Sequence, residues 1–266
     1  MAGQRQTPAG TGVPDRTLLC TVLLAACVAC ASEPAGPLSV ETITPGTLKV
    51  AVTNRAVPDP LDPEYWMERY VERFGHELGL PIEWHVVPFD RSWELAGQDV
   101  VDLVATNVAS FPDRVSPGGT FSAPFLYERR ALRIKASDAS RYVTIADFVG
   151  KRVGAVKGMA AERDLLKRAP PGVNIVSTTT FPELYDQFRE GRLDAVAQAE
   201  YYALDGQVIP SYGPDIALVD HHDLYPGQRE ESVFIVRDKS RRLLDAVNRF
   251  VATTRFPLQG TQPERP

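Results

Sequence analysis

Cysteine is nearly absent from this 266-residue chain, and its placement excludes several kinds of site. All three cysteines, Cys20, Cys27 and Cys30, lie within the first 30 residues. The rest of the chain therefore has no disulfide, no cysteine nucleophile and no cysteine-ligated metal. Basic residues are dispersed and the net charge is −5. This argues against a nucleic-acid partner, which needs a concentrated Lys/Arg face.

The chain also lacks the compact motifs of common enzymes. It has no glycine-rich phosphate loop, no Gly-x-Ser-x-Gly nucleophile turn and no His-Glu-x-x-His zinc helix. His221, His222 and Asp223 stand together without a further ligand at metal spacing, which favours a polar surface loop over a metal site. Asp102 and Asp194 are interpreted as structural carboxylates at strand starts, not as catalytic acids. We therefore predict no catalytic residue, no metal, no cofactor and no enzymatic activity.

The first 44 residues predict export and attachment to a membrane. Residues 18–30 form an apolar run that is too short for a mature transmembrane helix and is typical of a signal-peptide core. Within it, Leu24-Ala25-Ala26-Cys27 is similar to the bacterial lipobox, whose cysteine is lipidated and becomes the mature N-terminus. Cys30 is a poorer alternative, and an ordinary secretory signal is the competing interpretation. We predict a signal peptide over 1–26 and a tether over 27–44.

Two stretches of the chain, 46–52 and 150–156, are nearly copies. Gly-Thr-Leu-Lys-Val-Ala-Val and Gly-Lys-Arg-Val-Gly-Ala-Val each place a glycine before a short β-branched strand. Each is followed by a helix, a strand, a helix and a glycine-led strand that contains an aspartate. Alternating strands and helices predict parallel sheets, whose ligands lie beyond the carboxyl ends of the strands. The repeat therefore predicts two α/β lobes with a ligand cleft between them.

Apolar periodicity predicts the individual elements. In the first lobe we expect strand 48–52, a helix with Trp66, Tyr70, Phe74 and Leu78 at steps of four, strand 82–87, a short helix near 92–96 and strand 100–105. In the second we expect a short helix at 145–149, strand 152–156, helix 160–168, strand 174–177, helix 182–190 and strand 193–197. Strands at 131–134 and 232–237 would cross between the lobes, the second leading into a helix with core residues at 243–251.

These elements divide the chain into domains. Lobe one is predicted over 45–130 plus 232–255, lobe two over 131–231, and a flexible tail over 256–266. Two connecting strands imply a hinge, and hinge closure around a ligand is a known mode of switching. We expect a monomer.

The order of several short motifs resembles the bacterial extracellular solute-binding proteins of family 3, the periplasmic binding proteins of the polar amino-acid uptake class. The resemblance covers roughly 46–254 and rests on the two glycine-led strands, the Val-Asp-Leu-Val-Ala strand, Pro112-Asp-Arg114, and the segments 121–125, 147–158, 191–197 and 233–237. It implies a two-lobed periplasmic-binding-protein type 2 fold of class α/β. Each lobe would be a mostly parallel sheet flanked by helices, and two hinge strands would join the lobes.

The resemblance also implies a ligand site. In the family an arginine in a Thr-x-x-Arg context usually clamps the ligand carboxylate, and Arg114 falls at that place. A planar guanidinium can bind a carboxylate through two hydrogen bonds; the alternative is that Arg114 only pairs with Asp113 or a surface carboxylate. Gly158 would offer free backbone N–H groups to an anion at the start of a helix. The remaining contacts would come from Asn54, Asn107 and Glu200.

Several positions depart from the family pattern. The threonine of Thr-x-x-Arg is Phe111, and the serine or threonine that opens the second-lobe helix is replaced by Met159 and Ala160. The aspartate that usually binds the ligand ammonium is Ala199, with Glu200 one place later. These departures favour an anionic or more apolar ligand over an ordinary α-amino acid.

The leading hypothesis is a lipid-anchored solute-binding protein on the periplasmic or extracytoplasmic face of the cell envelope. It would capture a small polar or anionic, amino-acid-like solute that carries a carboxylate, and deliver it to an ABC permease. The first alternative is a sensory or accessory module of the same fold that has a degenerate pocket and acts through a protein partner. The second alternative is a dehydratase-type enzyme.

Overall fold

The computed structural model describes residues 39–53, 55, 63–224, 227 and 229–260. The predicted signal peptide, the lipidation site Cys27 and the first part of the tether lie outside the described residues, as does Asn54. Within the described ranges, no helix combines the length and the apolar character needed to cross a bilayer.

The described residues form one sheet of eleven strands with four α-helices. The strands are β1 (Leu48–Val52), β2 (Ile82–Val86), β3 (Leu103–Ala109), β4 (Gly119–Phe121), β5 (Leu126–Lys135), β6 (Arg152–Val156), β7 (Asn174–Thr178), β8 (Ala195–Tyr202), β9 (Val208–Ile209), β10 (Ile216–His222) and β11 (Glu230–Arg237). The helices are α1 (Pro63–Leu78), α2 (Ala160–Arg168), α3 (Phe181–Arg189) and α4 (Arg241–Thr253). Short 3₁₀ turns cover Ser92–Glu94, Pro112–Arg114, Ala136–Asp138 and Ile145–Phe148.

The strand order shows the predicted repeat directly. Along the sheet the order is β2-β1-β3-β11-β5-β8-β6-β7. β1 is parallel to β2 and β3, and β6 is parallel to β7 and β8, so the two ends of the sheet have the same pattern. Antiparallel β11 and β5 join them. We refer to β1–β4, β11, α1 and α4 as lobe one, and to β6–β10, α2 and α3 as lobe two. β5 pairs with both.

The core of lobe one is aromatic. The predicted face of α1 is buried through Trp66, Tyr70, Phe74 and Leu78. The Tyr70 and Phe74 rings lie 4.6 and 5.1 Å from the Phe250 ring of α4. The Tyr70 hydroxyl donates to the carbonyl of Thr254 at 2.7 Å. Helix packing therefore follows from the four-residue spacing that is visible in the sequence.

Phe256 extends this core and corrects one predicted boundary. Its ring lies 4.9 Å from Phe125 and 5.1 Å from Tyr70, and both Phe256 and Pro257 are buried. A flexible tail that starts at 256 is therefore wrong for these two residues, because burying a large aromatic side chain is strongly favourable. Residues 261–266 lie outside the described residues.

Several strands differ in extent from the sequence prediction. β1 and β6 have the predicted bounds, whereas β3 begins at Leu103 and β8 continues to Tyr202. β5 is ten residues long, whereas only 131–134 was predicted. The prediction was too short because the charged residues of β5 interrupt the apolar alternation on which it was based. His221 and His222 end β10 and do not lie in the predicted surface loop.

Candidate ligand-binding cleft

The carboxyl ends of the parallel strands of both lobes surround one cavity, as the repeat predicts. This cavity has a volume of about 210 Å³. It is lined by Thr53 after β1, residues 86–89 at the end of β2, Val156 at the end of β6, Met159, and residues 179–181 after β7. We call it the apolar pocket, since most of these side chains are hydrocarbon.

A second, smaller cavity continues the cleft. Its volume is about 20 Å³, enough for about one water molecule. Its polar lining consists of Arg114, Asn107, Glu128, Arg130, Gln198 and Tyr201. We call it the polar pocket. Phe89, Val156, Met159 and Phe181 line both pockets, so the cleft has one polar end and one apolar end.

Arg114 is the central cation of the polar pocket. Its side chain is 0% exposed, and the guanidinium lies 5.0–5.2 Å from the ring centres of Phe89, Trp93 and Phe111. Three aromatic faces around one cation stabilise its charge. Burial lowers the pKa of Arg114 to about 10, and the nearby positive charge of Arg163 adds to the shift. Arg114 therefore remains charged at neutral pH.

The hydrogen bonds of Arg114 connect the two lobes. Its Nη2 donates to the carbonyl of Gly158 at 2.7 Å, while its Nε has no hydrogen-bond partner in the part of the chain that the structure describes. Asp113, the alternative partner considered from the sequence, accepts two hydrogen bonds from Arg163 instead, at 2.7 and 3.2 Å. Arg114 is thus aimed into the cleft with unused donor capacity.

Asn107 reaches the same pocket from a strained backbone. It lies within β3 at φ 55°, beside the register shift between Val233 and Ile235 of β11. Its Nδ2 donates to Glu128 at 2.9 Å, whereas its Oδ1 has no partner among the described residues. A left-handed, non-glycine residue next to a bulge is costly and is common at ligand-binding sites.

A buried charged cluster that sequence reasoning missed borders the polar pocket. Glu128 accepts from Ser232 at 2.6 Å and from Arg130, and Arg130 Nε lies 2.8 Å from Glu230. Burial raises the pKa of Glu230 to about 7; the attraction of Arg130 opposes this shift and the repulsion of Glu128 adds to it. The sequence shows the consecutive charged residues Glu128, Arg129 and Arg130 in β5, but it does not show that Glu230 of β11 meets them.

Gly158 lies between the lobes, but its amide is already bonded. It has φ +81°, and its N–H donates to Glu162 Oε2 at 2.7 Å. Ser177 also donates to the Glu162 carboxylate. The N–H predicted to receive an anion is therefore used by the protein's own carboxylate in this structure. What Gly158 offers the cleft is its carbonyl, which accepts from Arg114.

Glu200 lies away from both pockets. Its carboxylate accepts from the Tyr202 hydroxyl and is 3.7 Å from His221. The polar side chains that β8 contributes to the lining are Gln198 and Tyr201 instead, and these two are joined by a 3.1 Å hydrogen bond. Of the five predicted ligand contacts, the structure brings Arg114, Asn107 and Gly158 together, and Asn54 lies outside the described residues.

His222, whose metal-binding role was considered and not favoured from the sequence, is held by hydrogen bonds within the protein. His222 Nε2 is 2.9 Å from Asp164, and its Nδ1 is 2.9 Å from the carbonyl of Asp220. Arg168 pairs with both aspartates. Within the described ranges, no group of three metal-ligating side chains is present.

Comparison with known proteins gives relatives of one kind. No protein-family model matches the chain. Over 137 residues it is 28% identical to the histidine-binding periplasmic protein of Salmonella typhimurium, a match that covers 49% of this chain and 51% of the relative. Over 183 residues it is 24% identical to the L-cystine-binding protein of Escherichia coli. This match covers 69% of this chain and 66% of the relative. The chain therefore matches about half the length of the first relative.

Solved structures confirm the fold. An amino acid ABC transporter substrate-binding protein from Streptococcus pneumoniae, bound to L-arginine, superposes with a TM-score of 0.62 at 23% identity. The match covers 78% of this chain and 88% of that one. The predicted two-lobed α/β fold is confirmed by this likeness. The predicted resemblance to periplasmic solute-binding proteins is confirmed by the sequence relatives.

Proposed function

We propose that the chain is an extracytoplasmic solute-binding protein that closes its lobes on a small, amino-acid-like solute for an ABC permease. The observation that carries the proposal is Arg114, a fully buried cation between the lobes whose Nε has no partner among the described residues. A buried charged donor without an acceptor is costly, and a carboxylate is its strongest partner. A ligand carboxylate in the cleft would supply that acceptor.

Glu128 is the proposed acceptor for the ligand ammonium. The position at which related proteins carry an aspartate is Ala199 here, which has no acceptor. Glu128 lines the same pocket from β5 and accepts from Asn107, Ser232 and Arg130. An ionised carboxylate has about four acceptor positions, so one remains for a ligand N–H group.

Closure is the proposed means of capture. The polar pocket of about 20 Å³ is too small for a carboxylate, and the Arg114 Nη2 already donates to the carbonyl of Gly158. Ligand entry would need the lobes to separate along the joining strands β5 and β11. The lobes would then close with the ligand carboxylate bound to Arg114.

The location and partners follow from the same proposal. The similar proteins are named as periplasmic binding proteins, and an exported, Cys27-anchored monomer would present its cleft to a permease in the cell envelope. The proposed role is binding and not catalysis.

A thermal-shift screen of the purified full chain tests the proposal. The panel holds L-amino acids, dicarboxylates and small amines at millimolar concentration, with glycerol as control. Ligand at about 100 times its Kd stabilises the folded state by about 2.7 kcal/mol, which raises the Tm by roughly 5–10 °C in a chain of this size. If no amino acid raises the Tm, the proposed function is wrong.

A further inference from the structure

We infer that the ligand's side chain is apolar and uncharged, and that the apolar pocket is the part of the cleft that selects it. This inference rests on the proposed function, because it assumes that the polar pocket holds the carboxylate and the ammonium. It differs from the similar proteins, whose names specify histidine, cystine and arginine.

The two pockets are placed as the two ends of one amino acid would require. Phe89 and Phe181 belong to both linings, one from each lobe, and Met159 and Val156 complete the shared wall. Arg114 contacts Phe89, so the carboxylate site and the apolar pocket are adjacent. A ligand with its carboxylate on Arg114 would direct its side chain past these four residues into the apolar pocket.

The apolar pocket offers no partner for a charged side chain. None of the described residues that line it is charged. Asp90 and Lys157, which adjoin the lining in sequence, lie 4.0 Å from each other and so offset one another. The Glu183 carboxylate already accepts from the N–H of the lining residue Thr179 at 3.0 Å. The Thr180 hydroxyl accepts from the N–H of Glu183 at the start of α3. A charged side chain here would be partly desolvated without gaining an opposite charge from the lining, which is unfavourable.

The volume of the apolar pocket admits a large side chain. At about 210 Å³ it exceeds the roughly 150 Å³ of an apolar cavity that is known to bind benzene. Apolar surface on the ligand would then be removed from water in proportion to its area. Phenylalanine, methionine and leucine are therefore the expected class, ahead of alanine or glycine.

Calorimetric titration of the full chain with single amino acids tests the inference. L-phenylalanine, L-methionine and L-leucine are compared with L-alanine, which lacks the large side chain, and with L-arginine, L-lysine and L-glutamate. We expect at least one of the first three to bind tenfold tighter than L-alanine and than each charged amino acid. Tighter binding of a charged amino acid overturns this inference and leaves the proposed function standing. Binding of none overturns the proposed function itself.

A variant at the edge of the apolar pocket supplies a second, independent readout. Val86 lines the pocket and is 57% exposed, so Val86→Asp places a carboxylate there without burying it in the core. The matched control is Val100→Asp, a 41% exposed valine of the same lobe that lines neither pocket. We expect Val86→Asp to lower the affinity for L-phenylalanine at least fivefold, and the control to change this affinity less than twofold. Equal affinities in the two variants would contradict the assignment.

Discussion

The two lobes use matching aspartates in different surroundings. In lobe one, Asp102 accepts the N–H of Lys49 at 3.0 Å, and in lobe two, Asp194 accepts the N–H of Arg152 at 2.8 Å. The first bond ties the start of β1 to the residue before β3, and the second ties the start of β6 to the residue before β8. Both agree with the predicted structural role of the aspartates. Asp102, however, is completely buried and lies 3.0 Å from Arg237, whereas the Asp194 side chain is 29% exposed.

The same contrast extends to the cleft. Around the polar pocket, lobe one contributes the cation Arg114 and Asn107, whereas lobe two contributes the uncharged side chains of Gln198 and Tyr201 and the carbonyl of Gly158. The repeated strands therefore build the scaffold twice, while the loops that follow them give its two faces different chemistry. An amphiphilic ligand fits between such faces better than a symmetric one.

The largest expected effect comes from removing the buried aspartate. Asp102→Asn removes the closer and fully buried counter-charge of Arg237 and leaves only the 48% exposed Asp99 at 3.6 Å, which costs about 3 kcal/mol. Asp194→Asn keeps an acceptor oxygen for the Arg152 N–H and removes only the charge of a 29% exposed carboxylate, which costs about 1 kcal/mol or less. Urea unfolding of both variants measures the difference in the free energy of unfolding. Equal losses would show that burial does not distinguish the two copies.

Buried carboxylates of the two lobes should respond to pH in opposite ways. Glu230 of lobe one has its pKa raised from 4.5 to about 7 by burial, against the attraction of Arg130 and with the repulsion of Glu128. Its stabilising effect is therefore present below pH 4.5 and is lost as the pH rises through 7, by about 3 kcal/mol. Glu230→Gln should remove that loss between pH 5 and 8.

Asp164 of lobe two provides the contrasting case. Burial acts to raise its pKa, but hydrogen bonds from His222 and Arg168 outweigh burial and lower it below 3.8. Its contribution is present above pH 3.8 and is lost as the pH falls through the lowered pKa. Asp164→Asn should therefore be less stable than the wild type at neutral pH, and the gap should close in acid. Unfolding curves from pH 2 to 8 measure both profiles. Parallel profiles in the two variants would contradict the contrast.

The smallest effect is expected from the exposed ion pair between the lobes. Asp113 is 62% exposed and Arg163 41% exposed, and such pairs contribute about 0.2–1 kcal/mol. A double-mutant cycle with Asp113→Ala and Arg163→Ala should give a coupling energy within that range that decreases in salt. A coupling well above it would mean that this pair, and not Arg114, holds the lobes together.

The sequence predicts the elements better than the site, for a physical reason. Local periodicity determines which residues of β1, β6 and α2 face the core, and their bounds were predicted correctly. The position of Arg114 depends on a loop next to one strand. Glu128, Arg130 and Glu230 meet only because β5 pairs with β11, a long-range register that no local pattern reveals. Glu200 was assigned to the cleft by position, but its side chain is bonded to Tyr202, away from both pockets.

The most direct test of the account is the contribution of Arg114 to binding. L-phenylalanine is titrated calorimetrically into the full chain, into Arg114→Gln, and into Arg192→Gln as the control, an exposed arginine that lines neither pocket. Loss of a charge-assisted bond worth about 1.5–3 kcal/mol predicts at least tenfold weaker binding to Arg114→Gln, with the control within twofold. A folded Arg114→Gln chain that binds as tightly as the wild type would contradict the account.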